Sequence, residues 1–190
     1  MNVSGTARRI RLESPLVFLH WTYSTAESIL LRMKNTGILF VCHGNICRSP
    51  MAEFVMKKLA NDAGAGSEFR IDSAATSTEE LGNGIHPGTE KKLRAEGVPV
   101  GFHRARQITS ADYENYDFLV GMDVENLYYM EKKWNNDPDG KVSLLLSFAG
   151  KDRDIADPWY TGNFDRTYDD VLEGCSALLK KILGGGNGNG

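Results

Sequence analysis

Residues 38–50 read I-L-F-V-C-H-G-N-I-C-R-S-P, an apolar run that stops at a cysteine and continues into a polar loop. The run 38–41 is short, apolar and partly β-branched, which predicts a buried strand. Pro50 indicates that a helix begins here, because helices accept proline in their first turn. A strand, a tight loop and a helix N-terminus in succession direct backbone N–H groups and the positive end of the helix dipole into the loop. The loop is therefore expected to bind a phosphate-like anion.

Cys42 and Arg48 indicate that this loop does more than bind an anion. A helix N-terminus and a neighbouring guanidinium both stabilise a thiolate, so Cys42 is expected to act as a nucleophile. The planar guanidinium of Arg48 can bind two phosphate oxygens, and the loop amides can bind the others. Together these residues indicate chemistry through a cysteinyl-phosphate. The alternative is a buried cysteine at a strand end that has no catalytic role.

Segments typical of strands alternate with segments typical of helices along the chain. Strands are predicted at residues 38–41, 69–75 and 117–122 and within 142–148, and helices at about 50–63, 87–96, 124–133 and 164–183. Residues 76–84, 134–140 and 151–161 are expected to be loops, and 109–112 an N-cap or a turn. The alternation implies parallel strands, right-handed crossovers and an α/β three-layer sandwich. Ligands of such sheets bind at the carboxyl ends of the strands, where the first strand places Cys42.

The stretch V-C-x-G-N-x-C-R-S-P at residues 41–50 resembles the active-site loop of the low-molecular-weight protein tyrosine phosphatases. The similarity continues through I-D-S-A at 71–74, H-R-A-R-Q at 103–107, G-M-D at 121–123 and D-P-W-Y at 157–160, and it covers roughly residues 34–183. The resemblance implies a flavodoxin-like fold with a four-stranded parallel sheet. It also implies a protein-tyrosine-phosphatase that acts on phosphotyrosine-containing proteins. Protein-arginine phosphatases and thioredoxin-coupled arsenate reductases belong to the wider kinship and are the alternative functions.

Hydrolysis of a phosphate ester through a cysteinyl-phosphate needs a group that protonates the leaving oxygen and later deprotonates water. One carboxyl group can do both in turn. Asp157 stands before Pro158 in a segment without helical or strand periodicity, where the local sequence is equally typical of a turn residue. The resemblance implies that Asp157 is the catalytic acid and base. Asp154, three residues earlier, is expected to be solvated.

The resemblance implies further residues of the phosphate and substrate site, namely His43, Gly44, Asn45, Ile46, Cys47, Ser49, Trp159 and Tyr160. Asn45 is expected to hold the loop, because asparagine tolerates left-handed backbone angles. His103 resembles the histidine that braces this asparagine, and a surface histidine in a turn is the alternative. Ser49 is expected to donate a hydrogen bond to the thiolate, to cap the helix, or to do both. Trp159 and Tyr160 are expected to line the entrance and sandwich the substrate ring, or else to belong to the core.

Ile46 bears on the choice of substrate. An isoleucine packs on a phenyl ring but offers a guanidinium no hydrogen bond, and the arginine-specific relatives have a threonine there, so phosphotyrosine is predicted over phosphoarginine. Where many relatives have an aromatic wall, this chain has Glu79 and Glu80, which would favour basic substrate flanks.

Cys47 is expected either to form a protective disulfide with Cys42 or to be a small packing residue.

Two other residues are expected to be structural. Cys175 lies on the apolar face of the last predicted helix and is expected to be inert in the core. It does not supply the cysteine pair that the disulfide relay of an arsenate reductase requires. His86 stands before a proline at a predicted helix start and is expected to have a structural role.

The composition argues against several other classes of protein. With 190 residues, of which 41% are hydrophobic and 25% charged, the chain fits one globular domain, expected to be a monomer. Its net charge of -3 gives no electrostatic reason to expect nucleic acid as a partner. Three cysteines without a second metal-type pair predict no disulfide framework, no metal site and a reducing cytoplasm. No cofactor is expected. A membrane partner is not expected either, because no apolar segment reaches the span of a bilayer.

The resemblance also divides the chain into three parts. Residues 1–32 lie outside it and are expected to be a poorly ordered extension before a natural start at Met33. An amphipathic tether at residues 26–33 is the alternative, although this window is short for an isolated helix. Residues 33–183 are expected to form the phosphatase domain, and residues 184–190 a flexible Gly/Asn tail.

Overall fold

Four parallel strands form the central sheet in the spatial order β2-β1-β3-β4. The computed structural model describes residues 36–184, so the expectations for residues 1–32 and for residues 185–190 of the tail lie outside the described residues. The strands are β1 (Thr36–Cys42), β2 (Phe69–Ala75), β3 (Phe118–Gly121) and β4 (Val142–Leu144). Cys42 pairs with Ala75 of β2, and Val41 pairs with Gly121 of β3. The carboxyl ends of these three strands therefore meet at one edge of the sheet, with Cys42 in the middle.

The side chains of β1 alternate between two apolar layers on opposite faces of the sheet. The helices within residues 36–184 are α1 (Arg48–Asp62), α2 (Pro87–Ala95), α3 (Ser110–Asn115), α4 (Val124–Lys133), α5 (Pro158–Thr161) and α6 (Phe164–Gly184). Ile38 and Phe40 pack in one layer with α1 and α6, and Leu39 and Val41 pack in the other with α3 and α4. A strand buried on both faces has a continuous apolar sequence instead of an alternating one. The predicted three-layer α/β sandwich is confirmed.

Short polar side chains begin the helices that surround the carboxyl edge of the sheet. Asp123 accepts a hydrogen bond from the backbone N–H of Asn126 at 2.7 Å where α4 begins. Asp157 accepts one from the N–H of Trp159 at 3.0 Å where α5 begins. Such caps satisfy donors that the first turn of a helix leaves unpaired. The caps therefore determine where both carboxylates lie.

The structure differs from the predicted elements in the last third of the chain. The strand predicted within 142–148 ends at Leu144, and Leu145–Ala149 forms a 3₁₀-helix. Leu145 packs against Gly174 of α6, where an added Cβ would lie 2.6 Å from Leu145 Cγ. A short apolar run can be buried either as a strand or as a helical turn, and its periodicity does not separate the two. The expected loop at 151–161 likewise contains α5, a helix of four residues that is too short to produce a periodic pattern.

Candidate active site

Cys42 is buried at the end of β1 and lines a pocket of about 100 Å³. The loop that follows leads directly into α1, whose first residue is Arg48. Within residues 36–184, the backbone N–H groups of residues 43–47 find no hydrogen-bond acceptor. Free amides in front of a helix N-terminus attract anions, because they add to the positive end of the helix dipole. The loop therefore has the donors that the sequence predicted for a phosphate-binding site.

Ser49 contacts the sulfur of Cys42 from inside α1. Its Oγ lies 3.0 Å from Cys42 Sγ and 3.4 Å from the carbonyl oxygen of Ala74. Ser49 is the second residue of α1 and lies inside the helix, so the prediction that it caps the helix is wrong. Because the carbonyl of Ala74 can only accept, the hydroxyl hydrogen has two possible acceptors, and a thiolate is the stronger one. Ser49 is thus placed to donate to a negatively charged sulfur.

Asn45 holds the loop through both its side chain and its backbone. Its φ of 57° lies in the left-handed region, as the sequence predicted. Its amide nitrogen donates to Ser49 Oγ at 3.0 Å and to Ser73 Oγ at 2.8 Å, and its amide oxygen accepts from the N–H of Arg106 at 3.1 Å. The predicted contact with His103 is also present, since His103 Nε2 lies 2.7 Å from the carbonyl oxygen of Asn45. These bonds offset the cost of a left-handed residue that is not glycine.

Arg48 is 3% exposed and lies between two carboxylates. Its Nη1 donates to Asp123, and its Nη2 donates to Asp157 Oδ2 at 2.5 Å. Burial acts to lower the pKa of the guanidinium, but the negative charges of Cys42, Asp157 and Asp123 outweigh it and raise the pKa above its ordinary value. Its buried Nε has no hydrogen-bond partner in the described part of the chain. The guanidinium is therefore permanently charged and still has a free donor.

Asp157 reaches this site from a segment that is fixed at several points. The side chain lines the same pocket as Cys42 and is 20% exposed. Two residues earlier, the N–H of Ile155 donates to the carbonyl of Met122 at 2.8 Å. Thr167 of α6 donates to the carbonyl of Ala156 at 3.2 Å. The predicted acid and base is thus held beside the predicted nucleophile. Asp154, expected to be solvated, accepts from the N–H of Val124 at 3.1 Å.

Polar and aromatic side chains form the mouth of the pocket. The lining residues are Cys42, His43, Gly44, Ile46, Cys47, Glu79, Glu80, Asp157, Trp159 and Tyr160. Trp159 is 57% exposed and Tyr160 83% exposed, so the alternative that they belong to the core is wrong. Ile46 is buried but contributes to the lining. The pocket therefore combines an apolar wall, two exposed aromatic rings and a polar base that contains the sulfur.

Comparison with known proteins agrees with this geometry. The model of the family described as low molecular weight phosphotyrosine protein phosphatase matches residues 37–184. The chain belongs to this family. The low molecular weight protein-tyrosine-phosphatase YfkJ of Bacillus subtilis is 37% identical over 149 residues, which cover 77% of this chain and 95% of the relative. The human low molecular weight phosphotyrosine protein phosphatase is 39% identical over 150 residues, which cover 76% and 94%.

Two solved structures extend the comparison to the fold. The crystal structure of YfkJ superimposes on this phosphatase with a TM-score of 0.77 and 35% identity, and the match covers 79% of this chain and 96% of that one. The crystal structure of DARP, a Drosophila arginine phosphatase, gives a TM-score of 0.68 and 31% identity, with 75% and 95% covered. The comparisons confirm the predicted family and its fold.

The two remaining cysteines of the phosphatase lie in different environments. Burial, together with the negative charges of Cys42 and Asp157, raises the pKa of Cys47 to about 12, so this thiol is protonated at neutral pH. Burial also raises the pKa of Cys175, which packs in the core with its sulfur 3.7 Å from the carbonyl oxygen of Ala52. Cys175 is inaccessible, as expected of an inert core residue. Cys47 lies in the loop after Cys42 and lines the same pocket, so of these two cysteines it is the one beside the predicted nucleophile.

Sequence reasoning missed the contact between Asp123 and Arg48. Asp123 caps α4 with one carboxylate oxygen, and its second carboxylate oxygen binds the guanidinium. The signal was its place directly after β3, because β3 pairs with β1 and both strands end at the same edge. It also missed Glu53, which accepts a hydrogen bond from Ser73 at 2.6 Å and so supports the Asn45 network.

His86 has the structural role that the sequence predicted. Its Nδ1 accepts from the N–H of Gly88 at 3.0 Å and so caps α2. Its ring stacks on Phe164 with centroids 5.2 Å apart and meets the edge of Trp159 at 5.7 Å. The backbone N–H of His86 donates to the carbonyl of Ile46 at 2.9 Å. His86 therefore joins the loop that contains Ile46 to the segment that contains Asp157.

Within residues 36–184, every helix falls short of the length or the apolar content that a membrane span needs. No group of three or more His, Cys, Asp or Glu side chains in this range is arranged to hold a metal ion.

Proposed function

We propose that this phosphatase hydrolyses phosphotyrosine in protein substrates through a cysteinyl-phosphate on Cys42. The main support is that Cys42 and Asp157 line one pocket. Asp157 also binds Arg48 Nη2 at 2.5 Å, although the two residues are 109 positions apart in the sequence. A nucleophile, a phosphate-binding guanidinium and a carboxyl group are the three functions that this reaction needs. Cys42 and Arg48 share one loop, but only the tertiary structure brings Asp157 to them, so the meeting of all three is not a consequence of the local sequence.

In the first step the thiolate of Cys42 attacks phosphorus, and the bond from phosphorus to the phenolic oxygen breaks. The leaving oxygen takes a proton from Asp157, so tyrosine departs as a neutral phenol. A bound phosphate dianion competes with Asp157 for Arg48 and places negative charge beside the carboxyl group. Both effects favour the protonated acid that this step requires. The loop amides and the free Nε of Arg48 would bind the phosphate oxygens as charge shifts in the transition state.

In the second step a water molecule attacks the phosphorus of the cysteinyl-phosphate. Asp157, now ionised, accepts a proton from the water, and the bond between sulfur and phosphorus breaks. Inorganic phosphate leaves, and Cys42 is again a thiolate. Ser49 Oγ, 3.0 Å from the sulfur, would donate to the negative charge that develops on it. The step therefore depends on Ser49 as well as on the acid and base.

Phosphoarginine is the second candidate substrate, because DARP, an arginine phosphatase, has 31% identity and a TM-score of 0.68. Ile46 argues for phosphotyrosine, since its buried side chain lines the pocket that would receive the substrate. An apolar side chain there would remove water from a guanidinium without replacing its hydrogen bonds, at a cost of about 1–3 kcal/mol. This corresponds to a preference for phosphotyrosine of about tenfold or more.

An arsenate reductase is disfavoured by the position of Cys175. The disulfide relay needs an accessible cysteine that can attack a disulfide at the active site. Cys175 is completely buried in the core beneath α1, and its raised pKa keeps it protonated. The other available cysteine, Cys47, cannot supply a relay by itself.

The test is a panel of one peptide that carries phosphotyrosine, phosphoarginine or phosphoserine at the same position. We expect kcat/KM for phosphotyrosine to exceed that for phosphoarginine by about tenfold or more. Ile46→Thr should narrow this ratio, whereas the control Ile46→Val, which keeps a β-branched apolar side chain, should not. A wild-type preference for phosphoarginine would refute the substrate and leave the cysteinyl-phosphate mechanism in place.

The same proposal includes the cellular setting. Three free thiols and the absence of disulfides among the described residues support a reducing compartment such as the cytoplasm. We propose phosphotyrosine-containing proteins as the partners, and a monomer as the active form.

A further inference from the structure

The pocket of the active site has an acidic rim. Glu79 and Glu80 line it together with Asp157, and none of the described residues that line it is a lysine or an arginine. Asp157 is bound to Arg48. The net charge at the entrance is therefore negative, although the group to be hydrolysed is an anion. This arrangement is not needed for phosphate binding, because the loop amides and Arg48 supply the donors.

The two carboxylates are available to a substrate. The side chain of Glu79 is 71% exposed, and its contact is His43 Nε2 at 3.1 Å. Glu80 accepts a hydrogen bond from Asn83 at 2.6 Å. Within residues 36–184, neither forms an ion pair with a lysine or an arginine. A carboxylate at a rim that is not paired with a lysine or an arginine attracts cations and repels anions over a Debye length of about 10 Å.

Arg104 forms a hydrogen bond to the segment that contains Glu79 and Glu80, but with the backbone of that segment. Its Nη1 donates to the carbonyl of Gly82 at 3.1 Å, and its guanidinium lies over the ring of Phe102 at 5.6 Å. The positive charge therefore serves a backbone carbonyl and an aromatic face. The charges of Glu79 and Glu80 are not neutralised by it.

Backbone hydrogen bonds fix the segment that contains Glu79 and Glu80 to the phosphate-binding loop. The N–H of Thr76 donates to the carbonyl of Cys42 at 2.9 Å, and the N–H of Ser77 donates to the carbonyl of His43 at 3.0 Å. Further along, the N–H of Gly82 donates to the carbonyl of Ala105 at 2.9 Å. The segment that contains both glutamates is thus held at each end, so the backbone that carries the two carboxylates stays beside the loop that begins at Cys42.

We infer that Glu79 and Glu80 make this phosphatase selective for phosphotyrosine flanked by lysine or arginine. The inference rests on the proposed function, because it assumes that a phosphotyrosine ring occupies the pocket. Residues next to the phosphotyrosine leave the pocket at its rim, where a basic side chain meets these carboxylates and an acidic one is repelled. An exposed ion pair of this kind changes kcat/KM by about two- to fivefold.

The test compares three phosphotyrosine peptides that differ only in the flanking residues, which are lysine, glycine or glutamate. For the wild type we expect the order lysine, glycine, glutamate in kcat/KM, with about two- to fivefold between the first two. The differences should shrink when the salt concentration rises to about 1 M, where the Debye length is about 3 Å. Glu79→Lys alone, which leaves one acidic and one basic side chain at the rim, should abolish the order, and the double variant Glu79→Lys/Glu80→Lys should reverse it.

Glu114→Lys is the matched control, because it makes the same change in net charge on α3, which leads into the amino end of β3. It should keep the wild-type order. Equal turnover of the three peptides by the wild type would overturn the selectivity while the proposed function stands. An order that survives in Glu79→Lys as in Glu114→Lys would also overturn it. If the wild type hydrolyses none of the three, the proposed function fails and the inference fails with it.

Discussion

Replacement of Ser49 by alanine tests how the nucleophile is supported. The wild-type hydroxyl lies 3.0 Å from Cys42 Sγ and accepts a hydrogen bond from Asn45 Nδ2 at 3.0 Å. Ser49→Ala removes both contacts from a position that is completely buried, where water cannot replace them. The first loss affects the sulfur whenever it is negatively charged, and the second affects the loop.

The magnitude follows from the charge on the sulfur. A hydrogen bond to a charged group contributes about 1.5–3 kcal/mol, and each 1.36 kcal/mol changes a rate about tenfold. The step in which the thiolate leaves phosphorus should therefore slow by about 10- to 150-fold. The free energy of unfolding should fall by about 1–3 kcal/mol, because Asn45 keeps a buried donor without its second acceptor.

Ser73→Ala is the matched control, because Ser73 accepts a hydrogen bond from the same Asn45 nitrogen at 2.8 Å. Within the described residues, its side chain bonds only Asn45 Nδ2 and Glu53, and not the sulfur of Cys42. It should lower the stability by a similar amount and slow turnover much less. The assay measures kcat for a phosphotyrosine peptide, the rate at which a trapped cysteinyl-phosphate decays, and chemical denaturation. A kcat for Ser49→Ala equal to that of Ser73→Ala would refute the proposed role of the hydroxyl, as would an unchanged decay of the intermediate.

Three further predictions concern the groups that take part in the chemistry. Cys42→Ser should abolish turnover and still bind vanadate, because the loop amides and Arg48 remain; steady hydrolysis by this variant would contradict the role of the nucleophile. Asp157→Asn should lose about 10²–10⁴ in rate with a poor leaving group and less with an activated aryl group, so a small uniform loss would identify Asp157 as a turn residue only. Mild peroxide should oxidise Cys42 and then close a disulfide with Cys47 that thiol reductants reopen. Because the pKa of Cys47 is raised to about 12, closure should accelerate as the pH rises towards that value, and mass spectrometry of a persistent sulfinic acid with Cys47 free would contradict the disulfide.

The sequence of residues 38–50 by itself predicts most of the local structure of the active site. The strand, the loop and the helix start are consecutive, so the placement of Cys42 at a strand end and before α1 follows from hydrophobic pattern and proline preference. The left-handed conformation of Asn45 follows from its side chain. A site built from one short segment is predictable, because few backbone angles separate its parts.

The sequence could not determine which residues meet across the fold. Asp123 and Asp157 bind Arg48 from 75 and 109 residues away, and only parallel pairing of β1 and β3 and the turn at α5 bring them together. The contact of Glu79 with His43 also depends on how two loops pack. Periodicity reports which face of an element is buried but not which residue lies opposite. Burial by the whole fold, likewise, raises the pKa of Cys47 and makes Cys175 inaccessible, because the cost of desolvation depends on every atom that surrounds the thiol.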